Sequence, residues 1–186
     1  VPWDKVNPDA SEDLAWCAET FMAVELYLPD YVAEGINCVR DSFGQAWFQA
    51  NWGYEESKHA LSLGEYLVRS GKRTKDQLFD YQRLILARTW EKPHATGRAM
   101  TCYGIVQEMA TFVIYCKHRS YAAKEKDECL RVVYDYIARD EVAHAHFYED
   151  VIKVLLEEDR PGTIADLAHV FRTFEMPGER LIPDYD

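Results

Sequence analysis

Five cysteines are scattered through the chain, at Cys17, Cys38, Cys102, Cys116 and Cys129, and no two stand in Cys-x-x-Cys spacing. That absence argues against a zinc ribbon, a rubredoxin-type iron site and a disulfide framework, and predicts reduced thiols in the core. No apolar run approaches the length of a membrane span. Basic residues are also scarce. Lys and Arg number 21 against 32 Asp and Glu, a net charge of −11 that disfavours non-specific nucleic-acid binding and leaves only local basic clusters such as Arg69, Lys72, Arg73 and Lys75. Neither a low-complexity segment nor a fine internal repeat is present. The first residue is Val, and no signal-peptide pattern follows it.

What is present is a helical sequence with a sizeable apolar complement. At 186 residues and 48% hydrophobic content it fits a single domain, 1–186, with a bundle core over about 11–158 and a short helix and tail over about 163–186. Two segments carry the chemistry: Glu55-Glu56-Ser57-Lys58-His59 and Asp140-Glu141-Val142-Ala143-His144. A Glu and a His three residues apart on a helix share one face, so a carboxylate oxygen and an imidazole nitrogen can reach one metal ion. A third match, Glu91 to His94, contains Pro93, which breaks the helix this geometry needs.

Spacing alone produces such pairs by chance. The two helical copies gain weight from two unpartnered glutamates, Glu25 lying 31 residues before Glu56 and Glu108 lying 33 before Glu141, each in an apolar helical run. A helix that folds back through a short loop brings mid-helix positions together at about this separation. The sequence therefore predicts an all-α, ferritin-like four-helix bundle of two hairpins joined by a long crossover. Each hairpin offers one Glu and one Glu-x-x-His, a ligand set that suits two iron ions and equally two manganese ions.

Taken in order, Val1 to Asp9 reads as an irregular lead-in, and Ser11 with Glu12 and Asp13 starts a helix running to about Arg40, interrupted or bent near Pro29. Glu25 lies beside its apolar stripe of Leu14, Phe21, Val24, Leu28 and Val32, where it is either a ligand or a surface acid at the stripe's edge. Asp41-Ser42 caps a second helix over Phe43–Arg69, ended by Ser70-Gly71. Trp47 and Trp52 read as core packing, and Glu55 lies off the Glu56–His59 face. Thr74 opens a shorter helix to about Thr89 within the crossover. A third long helix, Arg98 to Ala123, holds Glu108 in so apolar a run that metal ligation is its favoured reading. Gly104 leaves space beside the metals, and Thr111 either contacts a bound oxygen species or water or bonds back to its own helix. A fourth helix runs from Lys126-Asp127 to about Glu158 with His146 on another face. Asp140 accepts from a ligand imidazole or is a surface acid. Arg160-Pro161-Gly162 stops that helix before a last one over Thr163–Phe174.

These motifs together resemble the soluble acyl-(acyl carrier protein) desaturases. The likeness rests on Glu25-x-x-Leu28-Pro29-x-Tyr31, Glu55-Glu56-x-x-His59, Gln107-Glu108-x-Ala110-Thr111-Phe112 and Asp140-Glu141-x-x-His144, with Pro161-Gly-Thr163 and Glu175-Met176-Pro177 in a similar order. The resemblance implies that Glu25, Glu56, His59, Glu108, Glu141 and His144 are the six iron ligands, with Glu108 bridging and Glu56 and Glu141 at separate ions. It also implies that Thr111 lies near the oxygen side and that Asp140 and Trp3 lie on the route of electron delivery. The chemistry it implies is a ferredoxin-dependent, O2-consuming insertion of a double bond into a carrier-bound acyl chain. The expected partners are acyl carrier protein and a ferredoxin-type donor. A homodimer is allowed, and the expected compartment is the cytoplasm, or the plastid stroma for a plant protein. Hydroxylation or N-oxygenation of another substrate, and ferritin-like iron oxidation or storage, are the alternatives that the same ligands leave open.

Overall fold

The computed structural model describes residues 1–183 and 185, and among these every regular element is helical. A 3-10 turn at Trp3–Lys5 precedes α1 (Glu12–Glu25), α2 (Leu28–Cys38), α3 (Phe43–Arg69), α4 (Lys75–Leu86), α5 (Gly97–Lys124), α6 (Glu128–Glu158) and α7 (Arg160–Thr173). α1 packs against α3, and α5 lies along α6 as the second hairpin. The architecture is the expected all-α bundle.

Local chemistry explains the boundaries. Ser11 caps α1 by accepting from the Leu14 amide at 3.2 Å, and Ser11 in turn donates from its own N–H and hydroxyl to the Glu125 carboxylate at 2.6 and 2.7 Å. Of the interruption or bend expected near Pro29, the structure shows the interruption. A proline at 29 has no N–H to offer the Glu25 carbonyl, so α1 ends at Glu25 and a new helix starts at Leu28 with Pro29 in its first turn. Glu25 is thereby the last residue of a helix, aimed across the bundle.

Ser42 stands at the start of α3, but its side chain makes no capping bond there, contrary to expectation. Gly71, at φ +72°, does follow the end of that helix as predicted. Thr74 and Gln77 form a reciprocal capping box that opens α4. Asp127 caps α6 by accepting from the Leu130 amide at 2.8 Å and, fully buried, also accepts from Tyr66 and the Asn7 amide.

The end of α6 is not set by Pro161, as the sequence suggests, but by the residue two positions earlier. Asp159, in a non-helical conformation at φ −147° and ψ 80°, interrupts the helix and caps the Gly162 amide at 3.1 Å. Pro161 thus falls in the first turn of α7, where a missing N–H costs nothing.

Two layers of core hold the bundle. Leu14, Phe21, Met22, Leu63, Leu67, Tyr115, Leu130 and Tyr134 form one cluster, which reaches the glutamates at Tyr115. Each such large side chain contributes about 1.5–3 kcal/mol by leaving water. Val24, Tyr27, Ile85 and Trp90 join α1 to the crossover. Of the tryptophans on α3, Trp52 is buried as expected, whereas Trp47 is 68% exposed against Phe43 and contributes nothing to the core.

Candidate metal centre

Glu25 on α1, Glu56 and His59 on α3, Glu108 on α5 and Glu141 and His144 on α6 converge on the bundle axis, all at least 96% buried. They form two groups. Glu25, Glu56, His59 and Glu141 can each place a ligand atom within 4.8 Å of the others, and so can Glu56, Glu108, Glu141 and His144. Glu56 and Glu141 belong to both groups. A bridging Glu108 was the expectation, but here Glu108 and Glu25 each belong to one group only. Glu25 comes from the end of α1 and Glu108 from α5, whereas Glu56 on α3 and Glu141 on α6 reach both groups.

Both imidazoles turn Nδ1 inward. His59 Nδ1 lies 3.4 Å from Glu56 and 3.5 Å from Glu141, and His144 Nδ1 lies 3.1 Å from Glu56 and 3.3 Å from Glu108. Each Nε2 faces outward to a carboxylate that is under a third exposed: His59 to Asp140 at 3.2 Å, His144 to Glu55 at 2.9 Å. Glu25 and Glu108 are also held. Tyr115 donates to Glu25 at 2.9 Å, and Trp52 Nε1 donates to Glu108 at 2.9 Å. The Thr111 hydroxyl lies 2.7 Å from a Glu141 oxygen and 3.0 Å from the carbonyls of Gln107 and Glu108, so it reaches the cluster while staying within bonding distance of its own helix.

Four buried carboxylates at such distances strain one another's ionisation. Burial and the charge of Glu56 push Glu25 up to about 8. Burial, Glu56 and Glu108 hold Glu141 well above the usual carboxylate range. Burial opposes ionisation of Glu56 too, but His59 and His144 outweigh it and keep that group below its ordinary value. For His144 burial favours the neutral ring, and the adjacent carboxylates of Glu108 and Glu56 overcome it, raising it to about 11.

Glu56 Oε1, His59 Nδ1 and Glu141 Oε1 are buried with no hydrogen-bond partner. Such orphaned atoms cost about 1–3 kcal/mol each. Two divalent cations would give all three a partner and balance four carboxylates with four positive charges, so the residues fit a two-metal centre.

Sequence reasoning did not assign Trp52 or Tyr115 to the centre and set Glu55 aside from the ligands. Trp52 lies one turn before Glu56, and Tyr115 two turns after Glu108, so helical register on the ligand faces was the available signal. Gly104 does not leave open space: the Tyr148 ring occupies it, with Cζ 2.7 Å from where a Cβ would stand. His146 is exposed as expected, and His94 is half-buried beside His169 and Tyr103, remote from the cluster. Trp3, half-buried under the Arg69 guanidinium, is not among the residues at the centre.

A slot opens beside Glu25, Glu56 and Thr111, walled by Val24, Tyr31, Trp52, Trp90, Met100 and Phe147. Among the described residues no helix is long and apolar enough to cross a membrane.

The chain is similar to known proteins over most of its length. The chain is 29% identical over 164 residues to the chloroplastic stearoyl-(acyl-carrier-protein) 9-desaturase of Solanum commersonii, a match covering 81% of this chain and 40% of that protein. It is 30% identical over 164 residues to the seed-specific stearoyl-(acyl-carrier-protein) 9-desaturase of Brassica napus, again 81% of this chain and 40% of the relative. Against palmitoyl-(acyl-carrier-protein) 4-desaturase 2 of Ophrys arachnitiformis subsp. archipelagi identity is 26% over 139 residues, 73% of this chain and 36% of that one. The chain thus spans about two fifths of the length of these relatives. A sequence model described as fatty acid desaturase matches residues 11–184, nearly the whole chain including all six clustered ligand-type residues, and the chain belongs to that family.

Proposed function

We propose that this chain is an O2-dependent di-iron oxidoreductase that introduces a double bond into an acyl chain carried on acyl carrier protein, with electrons from a ferredoxin-type donor. The observation that carries the reading is the pair of buried ligand groups sharing Glu56 and Glu141 beside an apolar slot. In the net reaction, two C–H bonds on neighbouring carbons break and a C=C bond forms. Dioxygen takes up two electrons and two protons from the donor and solvent, together with the two hydrogens, and leaves as two waters. Two iron ions held by Glu25, Glu56, His59, Glu108, Glu141 and His144 would supply the reduction of dioxygen and the hydrogen abstraction.

The chain's own residues do the rest. Asp140 and Glu55 fix the outward Nε2 of each histidine and so keep each Nδ1 lone pair turned to the centre. Tyr115 and Trp52 hold the Glu25 and Glu108 carboxylates in orientation. Thr111, bonded to Glu141 at the slot's inner end, stands where a hydroxyl can pass a proton. The apolar wall excludes water and limits which carbons of a slim chain approach the centre. Asp140, 29% exposed and beside Lys58, is the group through which the centre's histidine meets the surface, which suits electron delivery from a docked donor. The compartment in this reading is the plastid stroma for a plant protein and otherwise the cytoplasm.

The test is mass spectrometry of a panel of acyl carrier proteins bearing different chains, incubated with the iron-loaded protein, reduced ferredoxin and air. Loss of two hydrogens from an acyl group is expected. Gain of one oxygen would overturn desaturation in favour of hydroxylation. Iron oxidation with no change in any acyl group, by a large multi-subunit assembly, would overturn the enzyme reading in favour of iron storage.

A further inference from the structure

The slot beside the metal centre is not apolar throughout. One to two turns from the ligands, Gln49 on α3 donates from Nε2 to the Tyr148 hydroxyl oxygen on α6 at 2.6 Å, and both side chains are only 8% exposed. Both line the slot. Two glycines make room for the pair. A Cβ at Gly35 on α2 would stand 2.6 Å from Gln49 Oε1, and a Cβ at Gly104 on α5 would stand 2.7 Å from Tyr148 Cζ.

The pair does not exhaust its own hydrogen-bonding capacity. Gln49 offers two N–H groups and a carbonyl, and Tyr148 one O–H. With Nε2 donating to Tyr148, the tyrosine hydrogen and the second amide hydrogen remain. With the amide turned over, the tyrosine would donate and both amide hydrogens would remain. Either orientation leaves a donor at the slot, whose wall elsewhere combines Val24, Tyr31, Trp52, Trp90 and Phe147 with the polar side chains of Gln45, Thr101 and Gln107. A buried donor left without an acceptor is destabilising. A slot for a plain hydrocarbon would be better served by leucine and phenylalanine at these positions.

We propose that Gln49 and Tyr148 form a seat for an acceptor oxygen on the substrate, set about 6–10 Å along the helices from the ligand residues. Resting on the reading of the slot as an acyl site, this narrows the substrate class. The chain carries an oxygen at that distance, either the thioester carbonyl of a short acyl group or a hydroxyl or keto oxygen on a longer one. A site built to bond an oxygen discriminates strongly against the analogue that lacks it, because its own donors are then left unpaired.

The experiment uses protein loaded with redox-silent Zn2+, so that binding is read without turnover, and follows quenching of the fluorescence of Trp52 and Trp90 in the slot wall. The probes are pantetheine thioesters: hexanoyl, hexadecanoyl, and hexadecanoyl chains bearing one hydroxyl or keto group at successive carbons. The expected result is that one oxygen position, or the short thioester, binds roughly tenfold or more tighter than plain hexadecanoyl, the effect of about one net hydrogen bond. Which of the two does so identifies the source of the oxygen. Gln49→Leu and Tyr148→Phe should each erase that preference, bringing the favoured thioester level with plain hexadecanoyl. Equal binding of plain and oxygenated chains, or a preference that survives both substitutions, overturns the seat while leaving the acyl site standing. Failure of every thioester to bind overturns the acyl site and the seat with it.

Discussion

Glu55 belongs to the first Glu-x-x-His segment but serves the histidine of the second: its carboxylate lies 2.9 Å from His144 Nε2. The relation is reciprocal, since Asp140, which precedes Glu141 in the second segment, lies 3.2 Å from His59 Nε2 in the first. Each acid–Glu-x-x-His segment therefore turns its Glu and its His to the centre and lends its leading acid to the opposite hairpin. The two hairpins are locked to one another through their histidines.

That crossed arrangement predicts selective damage. Glu55→Gln should weaken one metal position and Asp140→Asn the other, each by roughly 10–100-fold, as losses of imidazole-orienting partners do. Titration with Co2+, followed by its visible spectrum, should resolve one tight and one weakened step in each variant and two weakened steps in the double variant.

Glu141→Ala should be more severe than Glu108→Ala, because Glu141 belongs to both groups and Glu108 to one. Metal analysis after loading with iron is expected to show close to no bound metal in the first and about one ion per chain in the second, with His144→Ala resembling Glu108→Ala. Full metal content and activity in Glu108→Ala and His144→Ala would remove the ligand assignment.

The metal-free protein should lose stability as pH rises through the alkaline side of neutrality. Glu25, pushed up to about 8 by burial and Glu56, and His144, raised to about 11 by Glu108 and Glu56 against its burial, both hold protons more tightly folded than unfolded. Their contribution is complete below the unfolded values of about 4.3 and 6.5 and is lost as pH climbs through 8 and toward 11. Bound divalent ions replace those protons, so thermal melts of the loaded protein should be flatter between pH 7 and 9. Metal uptake should release protons, measurable with an indicator dye in weak buffer.

At acid pH a different residue governs. His118 is 8% exposed, packs edge-on against Phe21 at 5.1 Å and leaves Nδ1 without a partner; burial, then Lys117, lowers it to about 4. A base held neutral in the fold contributes stability above its unfolded value near 6.5 and loses it as pH falls through 4. The loss should reach roughly 3 kcal/mol from this group alone, seen in urea melts at pH 7 and pH 4. His118→Leu is expected to remove that part of the acid sensitivity.

Gly104→Ala tests the packing beside the slot. The added methyl would stand 2.7 Å from the Tyr148 ring, which is held by its bond to Gln49, so the ring must shift. Overpacking of this kind costs about 1–3 kcal/mol and should lower the melting temperature by several degrees. Gly44→Ala, at an exposed position where an added Cβ meets nothing within 4 Å, is the control that should not be destabilised.

How much of this was legible in advance follows from which interactions are local. The break at Pro29, the Gly71 stop and the Asp127 cap are each decided within one turn of chain, so residue order alone places them. The six ligand-type residues were legible for a related reason: a charged group in an apolar helical stripe has few inexpensive explanations, and two such stripes with matching separations have fewer. Ser42 shows the limit even of local chemistry, since a residue of capping type stands at the start of α3 and makes no cap.

What residue order could not decide was which group faces which across the axis. Helical spacing puts Glu56 and His59 on one face, but it does not say that Glu56 and Glu141 are shared between two groups while Glu25 and Glu108 each belong to one. Nor does it send Glu55 to His144, Tyr115 to Glu25 or Trp52 to Glu108. Those pairings join residues dozens of positions apart on different helices. They depend on the rotation of each helix about its own axis and on its height along the bundle, which only the packing of the four helices fixes. Residue order settles the helices and which carboxylates and imidazoles stand in their apolar stripes; the packed bundle settles their partners.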